Sequence, residues 1–214
     1  MTAHLVGEQE VEILGVVGPA QLAVRPLSFA SHYDRLQKQL QKISGQLKKL
    51  SQPNVNQSCA VSYEKSWHRG LVEVIEGETC WVKLVDLGRR RNVNVDTLKE
   101  LPDCLLQEHA YCAFCHLPGC SDVDKKILEA EVESLKMVVQ TVSLHRRGVP
   151  EMKDGVWSLP VEICWDEPKY DNPVGPPAQQ QVFLSQRIHM LRVQGESTLD
   201  TTKSEEESLS GGKL

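Results

Sequence analysis

The chain has 214 residues and a formal net charge of -5, with 40% hydrophobic, 25% charged and 5% aromatic side chains, proportions of an ordinary globular protein with room for one large domain or two small ones. From Glu196 onward five acidic side chains stand against Lys203 and Lys213, which leaves the preceding body nearly neutral and without a global electrostatic footprint for nucleic acid. The N-terminus lacks a basic segment with an apolar run and cleavage site, and no stretch approaches the ~18 apolar residues that span a bilayer, so the reading is a soluble, cytoplasmic protein with no membrane contact.

In chain order, Glu10–Val17 and Gln21–Arg25 read as a hairpin turned at Gly18-Pro19. Ser31 then stands as the cap of a helix running to Leu50, because Leu36, Leu40, Ile43, Leu47 and Leu50 recur at helical spacing with Lys and Gln opposite. After Pro53-Asn54 come four closely spaced strands, Ser58–Tyr63, Trp67–Ile75, Thr79–Asp86 and Asn92–Val95, joined by tight turns at Glu76-Gly77 and Gly88 and closed by Leu98–Pro102, the pattern of a small antiparallel barrel. His109–Leu117 reads as a strand, and Asp122–Lys136 as a helix capped by Ser121 or Asp122. Met137–Leu144 and Trp157–Trp165 follow as strands. Four prolines between Asp166 and Ala178 predict an irregular loop, Gln180–Leu191 a helix, and the Ser, Thr, Glu and Gly composition beyond Val193 a disordered tail.

The central strands resemble a Tudor barrel. Tyr63 stands at the family's first aromatic position, Trp67-His68-Arg69-Gly70 at its Trp-Tyr-Arg-Ala string, and Val82–Val85 leads into Asp86-Leu87-Gly88-Arg89, where the family has Asp-Tyr-Gly-Asn. Leu98 and Leu101-Pro102 also suit the family. The flanking order of elements is similar to that of extended Tudor domains. This resemblance implies a mixed α/β, mainly β fold. A Tudor SH3-like barrel over 55–103 is inserted in a staphylococcal-nuclease-like, OB-type β-barrel (8–30 and 104–193), with a linker helix over 31–51 and a disordered tail over 194–214.

Extended Tudor domains are non-catalytic readers of arginine-bearing peptides, often symmetrically dimethylated ones in PIWI-protein tails. The resemblance therefore implies an adaptor or scaffold of the piRNA pathway, in germline cytoplasmic granules, with such a peptide as partner and no cofactor. A guanidinium over ring faces gains cation–π attraction of ~0.5 to 2 kcal/mol, and methylation makes it easier to desolvate. Carried over position by position, the cage is degenerate. Tyr63 is one wall and His68 stands for the second ring; Leu84 and Leu87 replace aromatics, and Arg89 replaces the orienting amide. Leucines offer contact but no ring quadrupole, and a fixed cation at Arg89 repels a guanidinium unless Asp86 neutralises it. Trp67 is the accessory ring nearest the cage.

Other constellations have blander explanations. Cys112-Ala113-Phe114-Cys115-His116 matches a haem-attachment string, and His109 and Cys120 lie near it, but strand alternation points Cys112 and Cys115 to opposite faces. Seven cysteines without a secretory signal read as reduced thiols. Arg69 with Arg89-Arg90-Arg91 is a small basic patch that would suit an RNA-contacting accessory module, although no aromatic stripe extends it. A nuclease would need clustered carboxylates for a metal; Asp122, Asp124, Glu129, Glu131 and Glu133 read instead as a solvated helix face. Trp81, Trp157 and Trp165 lie inside predicted strands, where burial explains them.

Overall fold

Two β-sheets, each closing around its own apolar cluster, account for most of the chain in a computed structural model that describes residues 8–189 apart from 122, 154 and 170–177. The first sheet begins with the predicted hairpin, β1 (Gln9–Gly18) and β2 (Gln21–Pro26), with Gly18 opposite Gln21 and two bulges that bend β1. Helix α1 (Ala30–Ile43) follows. The second sheet holds β3 (Ser58–Tyr63), β4 (Ser66–Glu76), β5 (Thr79–Leu84), β6 (Arg89–Asn94) and the two-residue β7 (Lys99–Glu100), in the order β6-β5-β4-β3-β7. The chain then returns through α2 (Asp103–Leu106), β8 (Ala113–His116), α3 (Lys125–Val138), β9 (Val142–Arg146), β10 (Glu151–Lys153), β11 (Val156–Lys169) and β12 (Ala178–Phe183).

Alternation puts Cys59, Val61, Val72, Cys80, Val82, Leu84 and Leu98 inside the small barrel. The larger sheet closes on itself, because β11 pairs with β8 in parallel and with β9 antiparallel while β8, β2, β1 and β9 are paired in sequence. Its core, with Val11, Leu22, Leu144 and Ile163, is roofed by Leu128, Val132 and Leu135 of α3. A third cluster, with Leu36 and Leu40 of α1 against Ala60, Leu105 and Tyr111, glues the helix over the junction of the barrels.

Several expectations are corrected. Helix α1 starts at Ala30 after a 3-10 turn over Leu27–Phe29, so Ser31 is not its cap, and it ends at Ile43 rather than Leu50. Ser44 to Gln46 tighten into a second 3-10 turn, Leu50 donates its N–H to Leu98 and enters the barrel core, and Lys49 bridges Lys99. The spacing of Leu47 and Leu50 is thus that of two leucines reaching different clusters from extended chain. The cap of α3 is Asp124, whose carboxylate accepts from Lys126 N–H; the alternative Asp122 lies outside the described residues. That helix runs to Val138, so β9 starts at Val142 rather than Met137. The expected loop after Asp166 is in part strand: β11 continues through Pro168, opposite Gln179 of β12, and the helical turn expected from Gln180 occupies 184–189. Glu131 is not solvated but buried and paired with Arg187. Of the tryptophans expected inside, Trp165 is buried, whereas Trp81 and Trp157 are 36% and 62% exposed. The predicted tail after Val193 lies outside the described residues.

Gly88 sits where the small barrel touches the large one. Its φ of +69° belongs to the left-handed region, and a Cβ there would stand 2.8 Å from Ala23 Cβ and 2.9 Å from both Cys112 Sγ and Phe114 Cε1.

Candidate functional site

Strand alternation sorts the candidate residues into two groups. His68 pairs with Val61 and, with Tyr63 two residues further along β3, belongs to the inner face of the small barrel; Trp67 and Arg69 fall on the outer face. Tyr63 and His68 therefore meet at the barrel mouth, with ring centroids 6.0 Å apart and planes tilted by 58°. Leu84 is fully buried in the core below them and Leu87 packs half-buried against the same core, so neither presents an open wall. Trp67, expected beside the cage, is on the other side of β4. It packs under α1 with the Lys99 ammonium 4.6 Å from its ring centroid.

The Tyr63 ring is already occupied. The Arg91 guanidinium lies 4.6 Å from the Tyr63 centroid and donates to the Tyr63 hydroxyl at 2.7 Å, while that hydroxyl is also bonded to Glu64. From the sequence Arg91 reads only as part of the basic turn, yet a signal for its place at the barrel mouth exists: in an edge strand Arg89 and Arg91 share a face, and Arg91 stands opposite Val82 of the barrel interior. Arg89, expected at the cage, turns away instead. Its Nη2 donates to the Leu14 carbonyl at 2.8 Å and fills the space beside Gly15, tying β6 to β1. His68 is buried, its Nδ1 faces Gln37 Nε2 at 3.1 Å, and burial holds its pKa below the ordinary 6.5.

The outer-face pair does a different job. Arg69 and Asp86 are 3% and 1% exposed and joined twice, Nε to Oδ2 at 2.9 Å and Nη2 to Oδ1 at 2.7 Å. The remaining Arg69 hydrogens go to the carbonyls of Leu105, Glu108 and His109, and Asp86 Oδ1 also accepts from Tyr111 N–H at 3.0 Å. Arg25 completes the junction. It donates to the Asp86 carbonyl at 3.2 Å, pairs with Glu12 at 2.9 Å and lies 3.6 Å from the Tyr33 ring centroid. Arg69 and Asp86 are therefore not part of an exposed basic patch and do not neutralise Arg89; they lock the small barrel onto the segment that leads back to the large one.

Between the barrels runs a groove of about 910 Å³, bordered by Gly15–Gly18 of β1, by Arg89, Arg90 and Arg91 of β6, and by α3. The haem-like string holds no shared metal grip: Cys112 and Cys115 belong to different clusters, and burial raises both thiols, Cys112 to about 12. All seven cysteines carry free thiols. No described helix is long and apolar enough to cross a membrane.

A small barrel locked to a larger one, with Tyr63 and His68 meeting at its mouth and a groove alongside, is the architecture of the extended Tudor class. Residues 4–119 match the Tudor domain family, more than half of the chain, and the chain belongs to that family. Among solved structures it is similar to the mouse TDRD1 extended Tudor domain TD3 in complex with a dimethylarginine-containing MILI peptide. The TM-score is 0.69 and the identity 15%, over 89% of this chain and 95% of that one. It is also similar to the human TDRD1 extended Tudor domain in complex with a symmetrically dimethylated peptide, with TM-score 0.63 and 18% identity over 77% and 82% of the two chains. The extended-Tudor 10-11 structure of Drosophila melanogaster gives a TM-score of 0.60 and 16% identity, over 73% of this chain and 43% of that one. A search of curated protein sequences finds no match. The fold expected from the sequence, mainly β with two joined barrels, is the one observed.

Proposed function

We propose that the chain is a non-catalytic peptide-binding adaptor in which the methylarginine cage is degenerate and its last ring is held in cis. The observation that carries this reading is Arg91 over Tyr63, since a ligand guanidinium must displace a bound one before it gains any ring contact. The structurally similar TDRD1 domains hold dimethylated peptides, which supports a peptide ligand for the same fold. An arginine-bearing peptide of a partner protein, of the PIWI-tail kind, in cytoplasmic germ granules of the piRNA pathway is the biological setting this reading favours. A second reading, a structural domain with a disused pocket, draws on the same Arg91 contact.

Calorimetry with matched methylated and unmethylated arginine peptides tests the proposal. Equal affinities are expected, and a tenfold gain on methylation would overturn the degenerate cage. Replacing Tyr63 and His68 together separates the two readings, because only a pocket reader loses its peptide.

A further inference from the structure

We infer that the groove between the barrels binds an acidic peptide in extended conformation, laid along the open edges of β6 and β1. This rests on the peptide-adaptor reading above but not on its arginine-bearing ligand, in whose place it sets an acidic one. Two independent features of the groove lead to it.

The first is electrostatic. Five cations and three carboxylates border the groove, and each carboxylate is already engaged: Glu73 with Arg90, Glu129 with Lys125 at 3.4 Å, and Glu133 with Lys136 at 3.0 Å. Lys83, Arg89 and Arg91 have no carboxylate within 4.0 Å among the described residues. They rest instead on the Phe114 ring at 4.8 Å, the Leu14 carbonyl and the Tyr63 hydroxyl. Glu64 meets that hydroxyl rather than the Arg91 guanidinium. Lys83 and Arg89 have no paired carboxylate among the described residues, and Arg91 meets Glu64 only through the Tyr63 hydroxyl, so the hollow stays net positive and favours a carboxylate-bearing ligand over an arginine-rich one.

The second is the backbone. Arg89, Arg90 and Arg91 alternate faces along β6, yet all three border the groove, as do the consecutive Gly15 to Gly18 of β1. Consecutive residues of alternating faces border one hollow where it wraps round a strand's edge, here from the outer face that carries Glu73 and Lys83. Both edges have unpaired backbone: β6 pairs only with β5 among the described residues, and β1 meets β9 only through Gln9–Val11. An added strand supplies main-chain hydrogen bonds to such edges, and the basic side chains then read its charge. A single-stranded RNA would need stacking rings; among the described residues Phe114 is the only aromatic side chain bordering this groove, and Lys83 covers it.

Fluorescence anisotropy tests the inference with the full chain and a labelled peptide of alternating Glu and Val. Parallel arms use its Lys and Val counterpart, an unmethylated arginine peptide and a single-stranded RNA. The Glu peptide is expected to bind, to weaken as salt rises, and to lose about tenfold or more in K83Q/R91Q, with no change in K38Q/K42Q, which removes the same charge from the exposed face of α1. R90Q, altering an exposed side chain, gives a smaller loss in the same direction and guards against misfolding of the double variant. Amides of β6 should gain protection from hydrogen exchange on binding. Failure of the Glu peptide while the arginine peptide binds overturns the acidic ligand and leaves the adaptor reading standing. Binding of RNA alone, lost in K83Q/R91Q, overturns it in favour of nucleic acid. If neither peptide binds, both readings fall.

Discussion

Arg69 and Arg91 leave the same small barrel in different directions and meet opposite surroundings. Arg69 is enclosed, with two bonds to Asp86 and three to backbone carbonyls, whereas Arg91 lies half-buried on the Tyr63 ring with one bond to the Tyr63 hydroxyl and one to the neighbouring Arg90 carbonyl. A guanidinium with every donor engaged fixes two parts of a fold in register; one held by a ring face, one hydroxyl and the carbonyl of its own neighbour can be exchanged. The barrel thus uses one arginine as a joint and the other as an occupant of the Tyr63 ring.

The sharpest way to break this contrast is Arg69→Ala, which leaves Asp86 buried, charged and unpaired. Such losses are about 3–5 kcal/mol, and urea denaturation should show a destabilisation of that size. If the loss is under about 1 kcal/mol, the junction does not depend on this pair. Gly88→Ala should follow at roughly 2–3 kcal/mol, because the added methyl meets both the positive φ and the wall formed by Ala23, Cys112 and Phe114. A silent substitution there would mean the barrels can shift apart freely.

Arg91→Ala should be mild by comparison, about 1 kcal/mol or less in stability, since a partly exposed cation–π contact is worth ~0.5–1 kcal/mol. Its informative effect is on binding: with the ring vacated, affinity for an arginine peptide should rise several-fold. An unchanged affinity would show that Tyr63 takes no part in recognition. The smallest expected effect is the pH response. Burial lowers the pKa of His68 and of His116, the latter despite Glu151 at 2.7 Å from its Nε2. The unfolded chain therefore takes up protons below the ordinary 6.5 while the folded one resists, so stability is complete above that pH and falls as pH drops through it. Thermal midpoints should decline modestly between about pH 7.5 and 5.5, and less in His68→Gln; an identical decline in that variant would exclude His68 as a contributor.

Period-two alternation made the small barrel readable from the residues, because Val61, Val72, Val82 and Leu84 all serve one interior. The meeting of Tyr63 with His68 was legible for the same reason: their strands are neighbours joined by a two-residue turn, so register follows from the turn. The end of α1 was not legible, since Leu47 and Leu50 keep a helical spacing while their burial is decided by two separate clusters. Nor was the inward turn of Glu131, whose partner Arg187 lies far along the chain.

The sequence by itself determined the barrels and the meeting of Tyr63 with His68, since both depend on local alternation and on which side chains stand at fixed strand positions. Only the tertiary structure decided that Arg69 is a buried joint, that Arg91 fills the ring, and that a basic groove runs along two strand edges. Each of those depends on which distant surfaces meet. A guanidinium is long enough to serve several partners, so its role is set by the neighbours that packing supplies.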